Sequence, residues 1–403
     1  MNANFDVWEN VNTSNIAFNR DTSSNSGFIL PVGMFAGGDV DTIDEFNEVD
    51  GDCFNGNQNP IVYDADGAIT DAIFGDPLVI GFAGPCNLFS DGTIRNGDAV
   101  LNGLFQDGVD NGVNNFELTP EEFDETFVHE FGHLSGLDHS QINVEVLGQP
   151  TGNCNLDDLT GLPVMFPIAK CQARVTAGLP RLGPDDIAWI SRLYPQTTGG
   201  STFAGTHGTL TGTVFFSDGL SQAQGVNVIA RQGDTGNNEG RKNAVSVVSG
   251  FKFTSNRGQT VTADYLPCTP ALACPPNGFF DDNSAGSDFG SRTPGDVGLF
   301  EIPVLAGSYT VEVETINAGF DGGSSVGPLD PPIPIPGADP LLNGTFVVAA
   351  GDTVPVPAAE TTLVGTDPRF DVFEDSDFSQ LIVPKEQPPW LRRRLGPGPR
   401  EVA

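Results

Sequence analysis

"FVHEFGHLSGLDHS", residues 127–140, decides how the first half of this chain is read. The 403 residues include only four histidines, and three of them, His129, His133 and His139, fall inside this stretch. Residues i and i+4 lie on one helix face about one turn apart, so His129 and His133 can aim two imidazoles at one metal ion. Glu130 projects toward the open side of that ion. A carboxylate there can take a proton from an activated water and pass it to a leaving amine. Gly136 permits the backbone conformation that ends the helix and turns the chain sharply, returning His139 as a third ligand. Three protein ligands leave a fourth position open, which is the arrangement of a catalytic zinc and not of a structural one.

The flanks support a helix under this stretch. Thr119 is a candidate N-cap, Pro120 stands at the first helical position, and acids fill the first turn, predicting a helix from Pro120 through Leu137. A second helix is predicted from Pro184 to Leu193, again opening with Pro and two acids. Residues 5–20 read as a short amphipathic helix followed by a strand. Residues 27–104 read as turn-rich with strand-like runs at "PIVYDA", "PLVIGFAG" and "DAVLNG", and residues 141–162 as a polar Gly-rich loop. "YDADGAITDAIFGD" offers Asp64, Asp66 and Asp71 as candidate Ca²⁺ ligands, but Ile69 sits where an EF-hand loop needs glycine. An Asp-Gly turn explains the same residues without a metal.

The net charge is −35, from 53 acidic and 18 basic residues, which argues against binding a nucleic-acid backbone. It fits solubility in a salty or extracellular medium, or scattered Ca²⁺ sites. Six cysteines without a C-x-x-C pair fit three disulfides and an oxidising compartment. Proximity in sequence pairs Cys53 with Cys86, Cys154 with Cys171, and Cys268 with Cys274. No apolar run is long enough to span a membrane, and "MNANFDVWENV" at the N-terminus lacks a signal-peptide core. A secreted protein carrying this sequence has its export signal missing here.

Composition shifts in "YPQTTGGSTFAGTHG", read as a linker over residues 196–208. Beyond it the pattern is β only: "GTLTGTVFF", "GVNVIARQ", "LFEIPV" and "GSYTVEVET" alternate as sandwich strands do, and "NGTFVVAAGDTVPV" reads as a closing strand pair. This gives a β-sandwich over residues 209–383, interrupted by a long Gly/Asn/Asp-rich insertion at 234–295. Residues 384–403 switch to a basic, Pro-rich tail that reads as disordered. The linker predicts separate cores, so that residues 208–403 can be removed without loss of chemistry.

The motif H-E-x-x-H-x-x-G-x-x-H, continued by Ser140, resembles the zinc signature of the matrixin-type metzincin peptidases. Three further stretches carry the resemblance over roughly residues 5–195. "LPVMFP" places Met165 in a segment similar to the family's Met-turn, a hydrophobic floor beneath the zinc. "RLGPDDIAWISRLYP" resembles its C-terminal helix, and "FDVWENV" its tryptophan-containing first helix. The resemblance implies an α+β fold in which residues 1–195 form a metzincin-like catalytic domain: a twisted mixed sheet with the zinc-site helix and a C-terminal helix. It implies a secreted zinc endopeptidase acting on proteins or peptides, with one zinc on His129, His133 and His139 and Glu130 as general base. Departures from the family are also visible. His207 is the only spare histidine, which leaves no set for a second, structural zinc; no cysteine-bearing propeptide is present, and the gap from His139 to Met165 is long. The second half resembles a carboxypeptidase-regulatory-like or immunoglobulin-like module. Two other functions fit the same residues: a cell-surface or matrix binding protein using the zincin domain as a scaffold, and a peptidase dedicated to maturing one partner. The chain reads as a monomer without a membrane span.

Overall fold

The computed structural model describes residues 2–18, 40–55, 59–76, 78–88, 94–109, 116–140, 142–215, 222, 226–233, 239–249, 253–255, 279–281, 298–315, 344–357 and 359–360. It is a mixed α+β structure. In the N-terminal half the order is α1 (Asn2–Glu9), α2 (Ile43–Phe54), β1 (Ile61–Asp64), α3 (Ala68–Phe74), β2 (Gly81–Leu88), β3 (Ile94–Asn102), α4 (Pro120–Leu134), α5 (Leu156–Gly161) and α6 (Pro184–Leu193). Three strands form a mixed sheet in the order β1-β3-β2, with β1 parallel and β2 antiparallel to the central β3. Alternation along β3 separates two cores. Ala99 and Leu101 join Phe105, Phe123 and Leu134 on the α4 side. Val100 joins Phe46, Val49 and Ile69 of α2 and α3 on the other. A sheet covered on both faces explains why β3 is buried almost throughout.

Both helices over the second face lie in the stretch expected to be turn-rich. Their signals are local. Thr42 and Glu45 form a reciprocal capping box at the start of α2. Ahead of α3, Gly67 takes φ 70°, and the buried Asp64 carboxylate accepts hydrogen bonds from Ile69 N, Thr70 N and Thr70 Oγ1. The cysteine pair Cys53–Cys86 forms a disulfide tying α2 to β2. Two further local readings change. Residues 10–18 contain no strand after α1, only an isolated bridge of Ser14 to Pro195. The segment 141–162 is not all loop: it holds a 3₁₀ turn, Val144–Gly148, and α5.

The C-terminal half begins with a short helix, α7 (Phe203–Thr206), followed by β4 (His207–Phe215), β5 (Val226–Gln232), α8 (Glu239–Lys242), β6 (Ala244–Val248), β7 (Phe253–Ser255), β8 (Phe279–Asp281), β9 (Leu299–Leu305), β10 (Gly307–Thr315), β11 (Phe346–Val348), β12 (Thr353–Pro355) and β13 (Ala359–Glu360). One sheet runs β11-β10-β5-β6, and a second has β4 paired with β9, β12 and β13. Leu210, Val214, Phe300 and Ile302 of the second sheet share one buried cluster with Val228, Val245, Val311 and Val313 of the first. The stretch 234–295 is therefore not wholly an insertion, because β6 lies within it and pairs in register with β5, Val228 opposite Val247. Its alternation is too short to stand out among the surrounding polar residues. Cys268, Cys274 and the tail 384–403 lie outside the described residues.

The two halves do not keep separate cores. Ala188 of α6 belongs to the C-terminal cluster, whereas Ile190 and Leu193 on the same helix belong to the cluster with Trp8, Val128, Val164 and Met165. Trp189 packs against both. Ile142 is fully buried against Ile229 and Ala244. Arg241 pairs with Asp158 at 2.8 Å, and Asn143 accepts a hydrogen bond from Arg231 at 2.8 Å. The expectation of separate cores is thus corrected: a linker of flexible composition joins units that share buried surface.

Candidate metal centre

Helix α4 is shorter at its C-terminal end than the pattern suggested, and the reason sets up the site. Thr119 and Glu122 form a capping box at its start, with Pro120 in the first turn. At its end Gly136 takes φ 89°, and the amides of Gly136 and Leu137 return to the carbonyls of His133 and Gly132. This Schellman closure stops the helix at Leu134 and reverses the chain. His139 then comes back to the helix face carrying His129 and His133.

The three Nε2 atoms lie 3.1, 3.1 and 3.0 Å apart. His129 Nδ1 lies 2.6 Å from the Val164 carbonyl and His133 Nδ1 lies 2.8 Å from the Leu137 carbonyl. A carbonyl only accepts, so both Nδ1 atoms carry the proton and both Nε2 atoms turn a lone pair into the common centre. Desolvation, helped by the neighbouring His133, lowers the His129 pKa to about 3 and takes that of His139 well below the ordinary value. Three imidazole nitrogens converging in this way suit a cation between them. The separations are close to the roughly 3.3 Å edge of a tetrahedron with metal–nitrogen bonds of about 2.0–2.1 Å. Among the described residues these histidines are the only group of three or more His, Cys, Asp or Glu placed to hold a metal ion.

Glu130 is buried beside them, and its Oε2 has no hydrogen-bond partner. Burial pushes its carboxyl up to about 8. Gly81 on the edge strand β2 makes room for it, since a Cβ there would stand 2.8 Å from Glu130 Oε1. A strand glycine flanked by apolar residues carries no sign of this in sequence.

The turn at Val164 and Met165 meets the site through the Val164 carbonyl at His129 Nδ1. Met165 is almost fully buried, and a side chain at Gly132 would collide with its Sδ and with Trp8. Its carbonyl accepts from Ser140 N at 2.9 Å. Asp186 holds the turn from below, accepting from Val164 N at 2.8 Å, Met165 N at 3.2 Å and Gly183 N at 2.7 Å. Burial raises Asp186 to about 6 despite these donors. Arg174, buried and missed by the sequence reading, donates to the carbonyls of Leu159, Leu162 and Pro180, and its amide donates to Glu125 on α4. Desolvation brings Glu125 to about 7. The Cys154–Cys171 disulfide closes the loop that contains Met165.

The candidate Ca²⁺ ligands do not come together in this way. Asp64 spends its carboxylate on the amides at the start of α3, Asp66 accepts from Ala68 N, and no three-carboxylate group forms with Asp71. The Asp-Gly turn is what these residues build. No helix among the described residues is long and apolar enough to cross a membrane. Comparison of the chain with protein families, with curated proteins and with solved structures found no match to any of them.

Proposed function

We propose that the chain is a zinc-dependent endopeptidase of the matrixin-like metzincin type, with His129, His133 and His139 holding one zinc and Glu130 as the general base. One observation carries the reading: three Nε2 atoms converge within 3.1 Å, and the residue after His129 is a buried carboxylate whose Oε2 has no partner. A zinc bound there supplies Lewis acidity and a water acidic enough to ionise near neutral pH.

The remaining chemistry belongs to the chain. Glu130 Oε2 accepts a proton from the attacking water and delivers it to the departing amine. Burial alone keeps this carboxyl protonated near neutrality; beside a dication it returns toward ionisation, which gives it a proton affinity suited to both steps. The hydrogen bonds from Nδ1 to Val164 and Leu137 fix the ring orientations of His129 and His133. Strand β2 is the edge of its sheet among the described residues, and Gly81 brings it against Glu130. A substrate peptide in extended form can add to that edge, which lays its scissile carbonyl beside the site. The acidic charge and the two disulfides fit a secreted protein. In the same reading the C-terminal half is a β-sandwich accessory domain.

The test is zinc content together with hydrolysis of casein, gelatin and a peptide library by the purified full chain. One zinc per chain and cleavage at defined bonds is the expected result. Stoichiometric zinc with no cleavage of any substrate would instead support the scaffold or single-partner readings.

A further inference from the structure

Ser246 is the midpoint of β6, an edge strand of its sheet among the described residues. Its outward backbone groups are not left to solvent. Ser246 N donates to Asp185 Oδ1 at 2.8 Å, and its carbonyl accepts from Trp189 Nε1 at 2.7 Å, so α6 takes the place of the next strand. Its Oγ lies 3.2 Å from Ser140 Oγ. The Ser140 side chain lies near enough to the Asp185 carboxyl to lower its pKa, against the burial that raises it to about 7. All three residues are buried. Ser140 directly follows His139, and the contacts continue along the chain. Ile142 packs on Ile229 and Ala244. Asn143, held at φ 57°, accepts from Arg231 and donates to the Arg241 carbonyl at 3.1 Å. Asn enters this left-handed region more readily than most side chains, and here both ends of its amide are tied across the seam.

We propose that β6 is part of the support of the metal centre: Ser246, through Asp185 and Ser140, is a positioning residue that fixes the segment carrying His139. The inference rests on the zinc reading above and extends it across the seam. His129 and His133 are placed by the helix they share. His139 stands on a returning loop, and its own Nδ1 is buried with no partner. Its position is therefore set by what holds the residues around it. Met165 does so through Ser140 N, and the C-terminal half does so through Ser140 Oγ, Ile142 and Asn143.

The experiment uses the full chain and reads metal binding. Zn²⁺ affinity is measured by chelator competition, and the ligand field by the visible spectrum of the Co²⁺-loaded protein. Asp185→Ala is expected to weaken Zn²⁺ binding about tenfold, the lower end for partners that orient metal ligands, and to change the Co²⁺ spectrum. Asp185→Asn keeps an acceptor for Ser246 N and should restore binding to within about threefold. Ser140→Ala combined with Ser246→Ala removes only the hydroxyl links and should weaken binding about threefold, which decides the question if Asp185→Ala does not fold. Val228→Ala lowers the stability of the C-terminal core without touching this network and should leave affinity and spectrum unchanged. If the Asp185 and serine variants bind with unaltered affinity and spectrum, or if Val228→Ala shifts them as much, the inference is overturned while the zinc reading stands. An unaltered chain that binds neither ion overturns both.

Discussion

His129, His133, His139 and Glu130 in the first half, and Leu210, Val228, Phe300 and Val311 in the second, are the two clusters that define their halves. The first is polar and partly open, with three Nε2 atoms turned on one another and a buried Glu130 oxygen that has no partner. The second is fully apolar and closed. Folding stability explains every member of the second, because each removes apolar surface from water. It does not explain the first, where burial of a carboxylate and convergence of three imidazole nitrogens cost free energy unless something else occupies the centre. The difference separates residues that packing explains from residues that the proposed zinc chemistry would use. The seam at Ser246 and Asp185 joins them.

The largest expected effect comes from removing one side of the comparison. A chain ended near Gly200 exposes Ala188 and Trp189 and strips Asp185 of its Ser246 partner. It should lose stoichiometric zinc and the single cooperative melting transition expected of the full chain, as read by calorimetry and metal analysis. A truncated protein that binds zinc and cleaves a short peptide normally would show the halves to be independent after all.

Next in size, Phe300→Ala opens a cavity in the apolar cluster and should lower stability by about 3–5 kcal/mol. Below its melting transition, zinc content and turnover should be unchanged. A selective loss of turnover in the folded variant would mean that the second cluster does more than pack.

A smaller and opposite effect is expected at Gly81. Gly81→Ala presses on Glu130 Oε1, so turnover should fall about tenfold, as sub-ångström misplacement of a reacting group predicts, with zinc retained and stability little changed. Unchanged kcat and KM on a fluorogenic peptide would remove β2 from the account of the site.

The parts of this structure legible in sequence are those written locally. The capping residues Thr119 and Pro120, the histidine spacing and the turn glycine Gly136 all act within a few residues of where they stand. So do the alternating runs that became β4, β5, β9 and β10. Helix α2 was equally local, in the Thr42–Glu45 capping box, but its Asp- and Glu-rich body obscured it. What stayed hidden is carried by distance. Asp186 reaches back to the amides of Val164 and Met165, Arg174 gathers carbonyls from both sides of its loop, and Ser246 meets Asp185 from the other half of the chain. The acids at Asp64–Asp71 build the Asp-Gly turn that the sequence offered as the alternative to a metal, with the Asp64 carboxylate taken by backbone amides.

The central claim is that one zinc on three histidines works with Glu130 as the base. It is tested most directly by measuring zinc content and kcat/KM on a fluorogenic peptide for the unaltered chain and for Glu130→Gln. The account predicts one zinc per chain in both and a fall in turnover of at least about a hundredfold, the low end of what a general base contributes. Near-normal turnover by zinc-loaded Glu130→Gln, or an unaltered chain that cleaves peptides without zinc, would contradict it.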